Sequence, residues 1–276
     1  MAGVFKSLDQ SDVRLTPFRT HKLWYQDFST EYIDIFDYYT RDEFTDLRSN
    51  FYSQFYSNKN SIYSSLESQV LNRINIETDF MLTQSTMFSF FNQFIKGMGK
   101  RAPQSLFSSC LRFNSLEISD SDLRPTFNLP ISYVVTNFYT RPSFEPDEQE
   151  KILINEFLVD LSRRETIVRL DENETYDNDH RNLSEIYRGV KTISMPEVNP
   201  SENLYVKSVY IDGAKTYYGT YGGPSYLAII NQTPTVVFST NYHSLNPVHE
   251  TIVREYVRKN NLSWIHSLIK DLYIFG

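Results

Sequence analysis

The sequence predicts an α+β fold, with a mainly helical N-terminal part packed with a strand-rich C-terminal part that ends in helices. Three observations lead there. SIYSSLESQVLNRI carries Ile62, Leu66, Val70 and Ile74 at four-residue spacing, the stripe of an amphipathic helix. Beyond Leu106 the texture changes to short apolar runs separated by turns rich in Gly and Pro, as strands require. From Pro247 to the end, helical spacing returns. The expected organisation is an arm over 1–24, a mainly helical region over 25–105, and a mixed strand-rich region over 106–276 with C-terminal helices. The last two could share one core.

Taken in order, Asp9, Gln10, Ser11 and Asp12 read as a turn or helix cap, and Val13, Leu15 and Phe18 with Pro17 as an extended edge. The aromatic series Tyr25, Phe28, Tyr32, Ile33, Phe36 and Tyr39 fits a helix stripe and equally a strand. Ser61 can cap the helix that follows. Phe80–Ile95 is uncharged but interrupted by Thr, Gln, Ser and Asn, so it reads as a buried helix and not a membrane span, closed by Gly97 and Gly99. SLFSSCLRFNSLEIS and LPISYVVTNFYT read as strands. Pro146 opens a helix whose broad apolar face is Ile152, Leu153, Phe157, Leu158 and Leu161. ETIVRL reads as a strand and DENETYDNDHRNLSE as a polar loop. VKTISM, LYVKSVYI, SYLAII and PTVVFS read as strands, with GTYGGPSY as a hairpin or exposed loop. Val248, Ile252, Val253, Tyr256 and Val257 stripe one closing helix, and Leu262, Ile265, Leu268, Ile269 and Leu272 suggest a second after Asn260–Asn261.

Composition sets limits on function. Of 276 residues, 40% are hydrophobic and 22% charged, which is a folded chain. Twenty Tyr and twenty Phe stand against nine Gly, so large rings fill either a core or a protein interface. A net charge of -7 argues against coating nucleic acid. The one cysteine, Cys110, excludes an intrachain disulfide and sits among apolar residues as a buried structural thiol would. No signal-peptide pattern and no long apolar run call for secretion or a membrane.

Motifs for chemistry are sparse. Between Glu145 and Glu185 thirteen acidic residues face five basic ones, with Asp171, Glu172, Glu174, Asp177, Asp179 and His180 clustered. Calcium is conceivable there, but the spacing and glycine of an EF-hand are missing, and a solvated loop is the better reading. His21, His180, His243, His249 and His266 form no zinc pattern, and His243, His249 and Glu250 flank a helix start as rim residues would. GxSxG and GxGxxG are absent. GTYGGPS has the glycines of a phosphate loop, but no Lys followed by Ser or Thr stands in place, and Lys215 lies on the wrong side. The expectation is a non-enzymatic protein with no cofactor, no metal and no membrane or nucleic-acid partner.

The opening VFKSLDQSDVRLTPFRTHKLW, with Ser7, Leu8, Asp9, Asp12, Thr16, Pro17, Phe18 and Lys22, resembles the start of virion structural proteins of large contractile-tailed bacteriophages. LRSNFYSQFYSNKNSIY is more loosely similar to the tyrosine-rich segment after it. The resemblance implies a structural subunit of tail, baseplate or neck, located in the virion. It would work by docking on other virion proteins and on copies of itself, without catalysis. Phe5, Leu8, Phe18 and Trp24 would then anchor the arm, with Arg14, Arg19 and Lys22 setting register by charge. The same residues could instead form a first strand on the chain's own core. Two alternatives stand beside it. One is a host-surface attachment or adaptor protein binding glycans through Tyr217, Tyr218, Tyr221 and Tyr226. The other is a metal-dependent hydrolase of surface polymers built on Asp177, Asp179 and His180.

Overall fold

The computed structural model describes residues 13–16, 31–40, 42–44, 46–47, 50, 63–75, 129–141, 144–171, 181–198, 200–241 and 247–275. The chain divides into two compact units, Met1–Pro103 and Gln104–Gly276.

In the first unit, β1 (Val13–Thr16) pairs in parallel with β2 (Glu31–Asp34), so this stretch of the opening segment is a strand on its own chain. A 3-10 turn follows over Ile35–Asp37, with the Asp34 carboxylate accepting from the Phe36 N–H at 3.1 Å. Helix α1 (Tyr63–Ile74) confirms the four-residue spacing. Val70 and Ile74 pack with Ile35 and Tyr39 into a small core. Arg73 closes it: its guanidinium lies over the Tyr39 ring, donates to the Tyr38 carbonyl at 2.9 Å and pairs with Glu43 at 3.0 Å.

The second unit alternates strand and helix. In chain order it runs β3 (Val134–Asn137), β4 (Tyr139–Thr140), α2 (Glu148–Arg164), β5 (Ile167–Arg169), β6 (Arg181–Asn182) and β7 (Thr192–Ser194). It continues through α3 (Pro200–Asp212), β8 (Tyr217–Thr220), α4 (Gly223–Ile230), β9 (Thr235–Ser239), α5 (Pro247–Asn260) and β10 (Trp264–Leu268). Six strands form one sheet in the order β10-β9-β8-β3-β5-β7, every neighbouring pair parallel. Ranked by appearance and read from the β7 edge, that order is third, second, first, fourth, fifth, sixth. The chain starts in the middle, winds to one edge, then crosses back over the first strand to wind to the other. This is the doubly wound nucleotide-binding order. Parallel neighbours need crossovers, which the helices supply.

Burial explains why the strands read as apolar runs. All residues of β3 and β9 are buried, as strands covered on both faces must be. On one face α2 brings Ile154 and Leu158 onto Val134, Phe138, Ile167 and Phe238, joined by Ile186 and by Ile269 and Leu272 from 3-10 segments. Helices α3, α4 and α5 pack in succession as a second layer, with Ile229, Val253 and Tyr256 between α4 and α5. Helix α2 begins with a capping box: Glu150 N–H donates to the Asp147 carboxylate at 2.8 Å and Asp147 N–H to the Glu150 carboxylate at 3.1 Å.

The mixed composition of helix and strand is as expected, around a central parallel sheet flanked by helices. Three segments correct the expected pattern. LYVKSVYI is in helix α3 and SYLAII in helix α4, not strands. The second closing helix is strand β10 with a 3-10 segment after it. Phe80–Ile95, Cys110 and the acidic residues 172–180 lie outside the described residues. Among the described residues no helix is long and apolar enough to cross a membrane.

Asn137 is fully buried at the end of β3. Its amide donates to the Leu170 carbonyl at 2.8 Å and its side-chain oxygen accepts from the Tyr217 hydroxyl at 3.5 Å. Asn137→Ala removes both hydrogen bonds from a dry interior, and urea denaturation is expected to show a loss of about 2–4 kcal/mol.

A candidate anion site at the switch point of the sheet

The two halves of the sheet part at β3 and β8. In doubly wound sheets ligands bind at the carboxyl ends of the strands at such a point. The register sets Asn137 opposite Gly219. A side chain on Gly219 would run into the Asn137 carbonyl, so only glycine lets the strands approach this closely. Past β3 the contact continues through a clasp. Tyr139 N–H donates to the Thr220 hydroxyl at 3.2 Å, and that hydroxyl donates to the Tyr139 carbonyl at 3.2 Å. Tyr139 and Arg141 are thereby laid over the exit of β8. A backbone bridge from Arg141 to Phe144 steadies that turn.

The exit of β8 is Tyr221-Gly222-Gly223-Pro224-Ser225, which enters helix α4 directly. Gly222 is pressed between neighbours: a Cβ there would meet the Tyr139 hydroxyl and the Arg141 guanidinium. Gly223 is the reverse, exposed, with nothing within 4 Å of where a Cβ would stand. The buried Ser225 hydroxyl folds back on Gly222, accepting from its N–H at 3.0 Å and donating to its carbonyl at 2.7 Å. Pro224 has no N–H to leave unmet. The Gly223 N–H faces no helical partner, being in the first turn. Over this turn sits Arg141, which donates to the Tyr221 carbonyl at 3.3 Å and makes no ion pair among the described residues. The positive end of α4, an open glycine and a guanidinium without a carboxylate partner suit a multiply charged anion.

An aromatic row braces the turn. Trp264 and His266 of β10 lie 6.0 Å apart between ring centres, His266 stacks on Tyr221 at 5.4 Å, and Tyr221 meets Tyr226 edge-on at 5.6 Å. The His266 Nε2 is 2.9 Å from the Ser239 hydroxyl. Burial holds the His266 pKa below the usual histidine value, against the opposing pull of Glu250. Burial likewise drives the Tyr221 hydroxyl well above the usual tyrosine value. Glu250 pairs with Arg254, whose guanidinium lies over Trp264.

Few residues singled out from sequence meet here. Phe5, Leu8, Phe18, Arg19, Lys22 and Trp24 lie outside the described residues, as do Asp177, Asp179, His180, His21 and His243; Arg14 falls in β1. Asp171 is paired with Arg169 at 2.8 Å, and among the described residues no three His, Cys, Asp or Glu side chains could hold a metal. The tyrosines proposed as a sugar trough form none: Tyr217 is fully buried, Tyr218 packs on Phe157 and Tyr221 is buried. Lys215 pairs with Glu165 at 3.0 Å, away from the glycine turn. Sequence reasoning weighed GTYGGPS and set it aside for want of a lysine behind it, and it passed over Arg141. The Gly-Gly-Pro turn between two short apolar runs is a signal for the strand-to-helix turn, while Arg141 has no sequence signal of its own.

No family model matches the sequence, and no curated protein matches it significantly. Over 97% of its length the chain is similar in structure to E. coli ADP-heptose LPS heptosyltransferase II, with a TM-score of 0.54 and 12% identity, covering 85% of that chain. A glycosyl transferase family 9 protein from Veillonella parvula DSM 2008 follows at a TM-score of 0.45 and 10% identity, over 86% of this chain and 76% of that one. An E. coli heptosyltransferase with ADP matches at 0.34 and 14%, over 59% and 57%. Only the first score is high enough to bear on the fold. It overturns the phage reading. The likeness, which extends over 97% of the chain, is to the fold of a heptosyltransferase structure and not to a tail, baseplate or neck protein. With it fall the non-enzymatic role, the virion location and the docking on virion proteins and sister copies. Those expectations rest on a phrase of 21 residues at the start, which says nothing about the order of the six strands in the sheet.

Gly222 and Gly223 should respond differently to alanine. Gly222→Ala is expected to lower stability by about 1–3 kcal/mol through overpacking, with Gly223→Ala within about 0.5 kcal/mol of the parent, as thermal and chemical melts would show. The His266 shift also has a sign. The unfolded chain takes up this proton at a higher pH than the folded chain. Stability contributed by the neutral ring is therefore complete above the ordinary histidine pKa and falls as pH drops below it. His266→Gln should flatten that part of a melting-temperature profile between pH 7.5 and 5.

Proposed function

We propose that the chain is a glycosyltransferase whose donor is a sugar carried on a nucleoside diphosphate. The observation that carries this is Arg141 lying on the Gly222–Gly223 turn, at the head of α4 and at the switch point of a nucleotide-type sheet. Nothing else among the described residues gathers a cation, a helix start and an open glycine in one place. The structural likeness to an ADP-heptose LPS heptosyltransferase supports the same direction.

Placement of the glycines separates this from a dinucleotide-binding oxidoreductase. There the glycine fingerprint follows the first strand of the sheet unit. Here the turn after that strand is occupied by the fully buried Tyr139 ring, and the glycines follow the fourth strand. A diphosphate is therefore expected at β8–α4.

In the transfer, the bond from the anomeric carbon to the diphosphate oxygen breaks and its electron pair stays with the diphosphate. A new bond forms to the oxygen of an acceptor hydroxyl, whose proton passes to solvent or to the released diphosphate. Arg141 and the positive end of α4 stabilise the charge that collects on the departing diphosphate. Their work falls on the leaving group, so they contribute to the transition state as well as to binding.

Calorimetric titration with ADP, UDP and GDP tests the reading. At least one is expected to bind, and Arg141→Gln should weaken it about 10–100-fold, since a charge-assisted contact contributes about 1.5–3 kcal/mol. If none of the three is retained by the folded chain, the proposal fails.

A further inference from the structure

The regular register between β3 and β8 ends where Asn137 stands opposite Gly219. Two residues on, the backbone of Tyr139 pairs with a β8 side chain. Its N–H donates to the Thr220 hydroxyl at 3.2 Å, and its carbonyl accepts from that hydroxyl at 3.2 Å. Thr220 is fully buried, so bulk water does not compete for either bond. One oxygen therefore holds both peptide groups that flank Tyr139, and with them the direction the chain takes to Arg141. Other contacts steady Arg141 without referring it to β8. The bridge between Arg141 and Phe144 closes the turn on itself, and β4 pairs with β6 through Tyr139 with Asn182 and Thr140 with Arg181. The Arg141 guanidinium reaches the Tyr221 carbonyl at 3.3 Å and stands 2.7 Å from where a Cβ on Gly222 would be. Arginine is long and flexible, so the backbone beneath it decides where its tip falls.

We infer that Thr220 is a positioning residue for the donor: its hydroxyl sets the Arg141 guanidinium over the Gly222–Gly223 turn before the diphosphate arrives. This rests on the glycosyltransferase reading and names the residue that prepares its site. Thr220 is closed to the ligand, so it acts through Arg141 and not by contact. Ordering a long side chain costs binding free energy, and a backbone already aimed at the turn lowers that cost. A methyl in place of the hydroxyl would leave the Tyr139 N–H and carbonyl unmet in a dry interior, and the segment from Tyr139 to Arg141 would shift to find partners.

Thr220→Val keeps the shape and removes the hydroxyl, whereas Thr220→Ser keeps the hydroxyl. Each is made in the parent and together with Arg141→Gln. The measurements are melting temperature, and affinity for inorganic pyrophosphate and for the tightest of ADP, UDP and GDP. In the parent, Thr220→Val is expected to weaken both probes about tenfold, and Thr220→Ser to stay within about twofold. With Arg141 already replaced, Thr220→Val should cost less than about twofold more, because the two changes remove the same interaction. Equal losses on the two backgrounds overturn the inference, since the hydroxyl would then serve the fold or the turn without Arg141. Unchanged affinity in Thr220→Val overturns it whatever the melting temperature does. If Thr220→Val does not fold, Thr220→Cys, whose thiol bonds more weakly, takes its place in the same comparison. Should Arg141→Gln weaken binding while the loss of the hydroxyl does not, the site stands and the inference falls. Should the parent chain bind neither pyrophosphate nor any of the nucleotides, the site falls and takes the inference with it.

Discussion

The arrangement of the second unit depends on what happens at the end of β3. Asn137 faces both neighbours there, tying one side chain to the Leu170 carbonyl beyond β5 and to the Tyr217 hydroxyl of β8. Its own carbonyl fills the space that a side chain on Gly219 would need. Strands that come from opposite halves of the winding are thereby locked edge to edge, in a dry interior where each hydrogen bond is stronger and each missing one dearer. The clasp between Tyr139 and Thr220 carries that lock past the strand ends. Arg141 and the glycine turn meet because two strands far apart in sequence cannot slide.

That lock also decides which loop is open. After β3 the chain spends its space on Tyr139 and the bridge from Arg141 to Phe144, so the first turn of the unit is filled. After β8 it spends glycine. Gly222 lets the Tyr139 hydroxyl and the Arg141 guanidinium close in, while Gly223 leaves the next peptide uncovered. One turn is thus shaped to support and the other to receive. The cation is supplied by the supporting turn and the helix dipole by the receiving one, so neither segment makes the site alone.

How much of this could be read from the chain varies by element for definite reasons. Helices α1, α2 and α5 were legible because each has one apolar stripe and one polar face. Helix α3 was not. Val206 through Ile211 are all buried, including Lys207 and Ser208, so the helix shows no stripe and LYVKSVYI mimics a strand. SYLAII fails likewise, with Ser225, Leu227, Ala228 and Ile229 all buried over barely two turns. β10 erred in the other direction, since an edge strand leaves Ile265 exposed and spaces its apolar residues like a helix. Short apolar runs do not distinguish the two periods. Once α4 is read as a strand, GTYGGPSY can only be a hairpin, and the glycine pair loses its meaning. The site was hidden by that one misread helix. Arg141 was hidden because a lone arginine after a strand carries no spacing signal, and only the β3–β8 contact shows what it rests on.

In the second unit, aromatic rings fill the sheet face and the space at the strand ends. α4 has only eight residues, and the space above the strand ends must be filled by something longer than an aliphatic side chain. On the α2 face Phe138 stacks on Phe238 at 5.8 Å and Phe157 meets Phe238 and Tyr218 at 5.7 and 5.4 Å. At the strand ends Trp264, His266, Tyr221 and Tyr226 continue the filling from β10 back to α4. Rings have few rotatable bonds, so packing them in contact fixes their tips as well as their bodies. Where the tips are carbon, they add only cohesion. The Tyr139 hydroxyl is the ring tip that stands against Gly222, where the glycine turn begins. An aliphatic core of equal volume would have given a stable sheet with a blank edge.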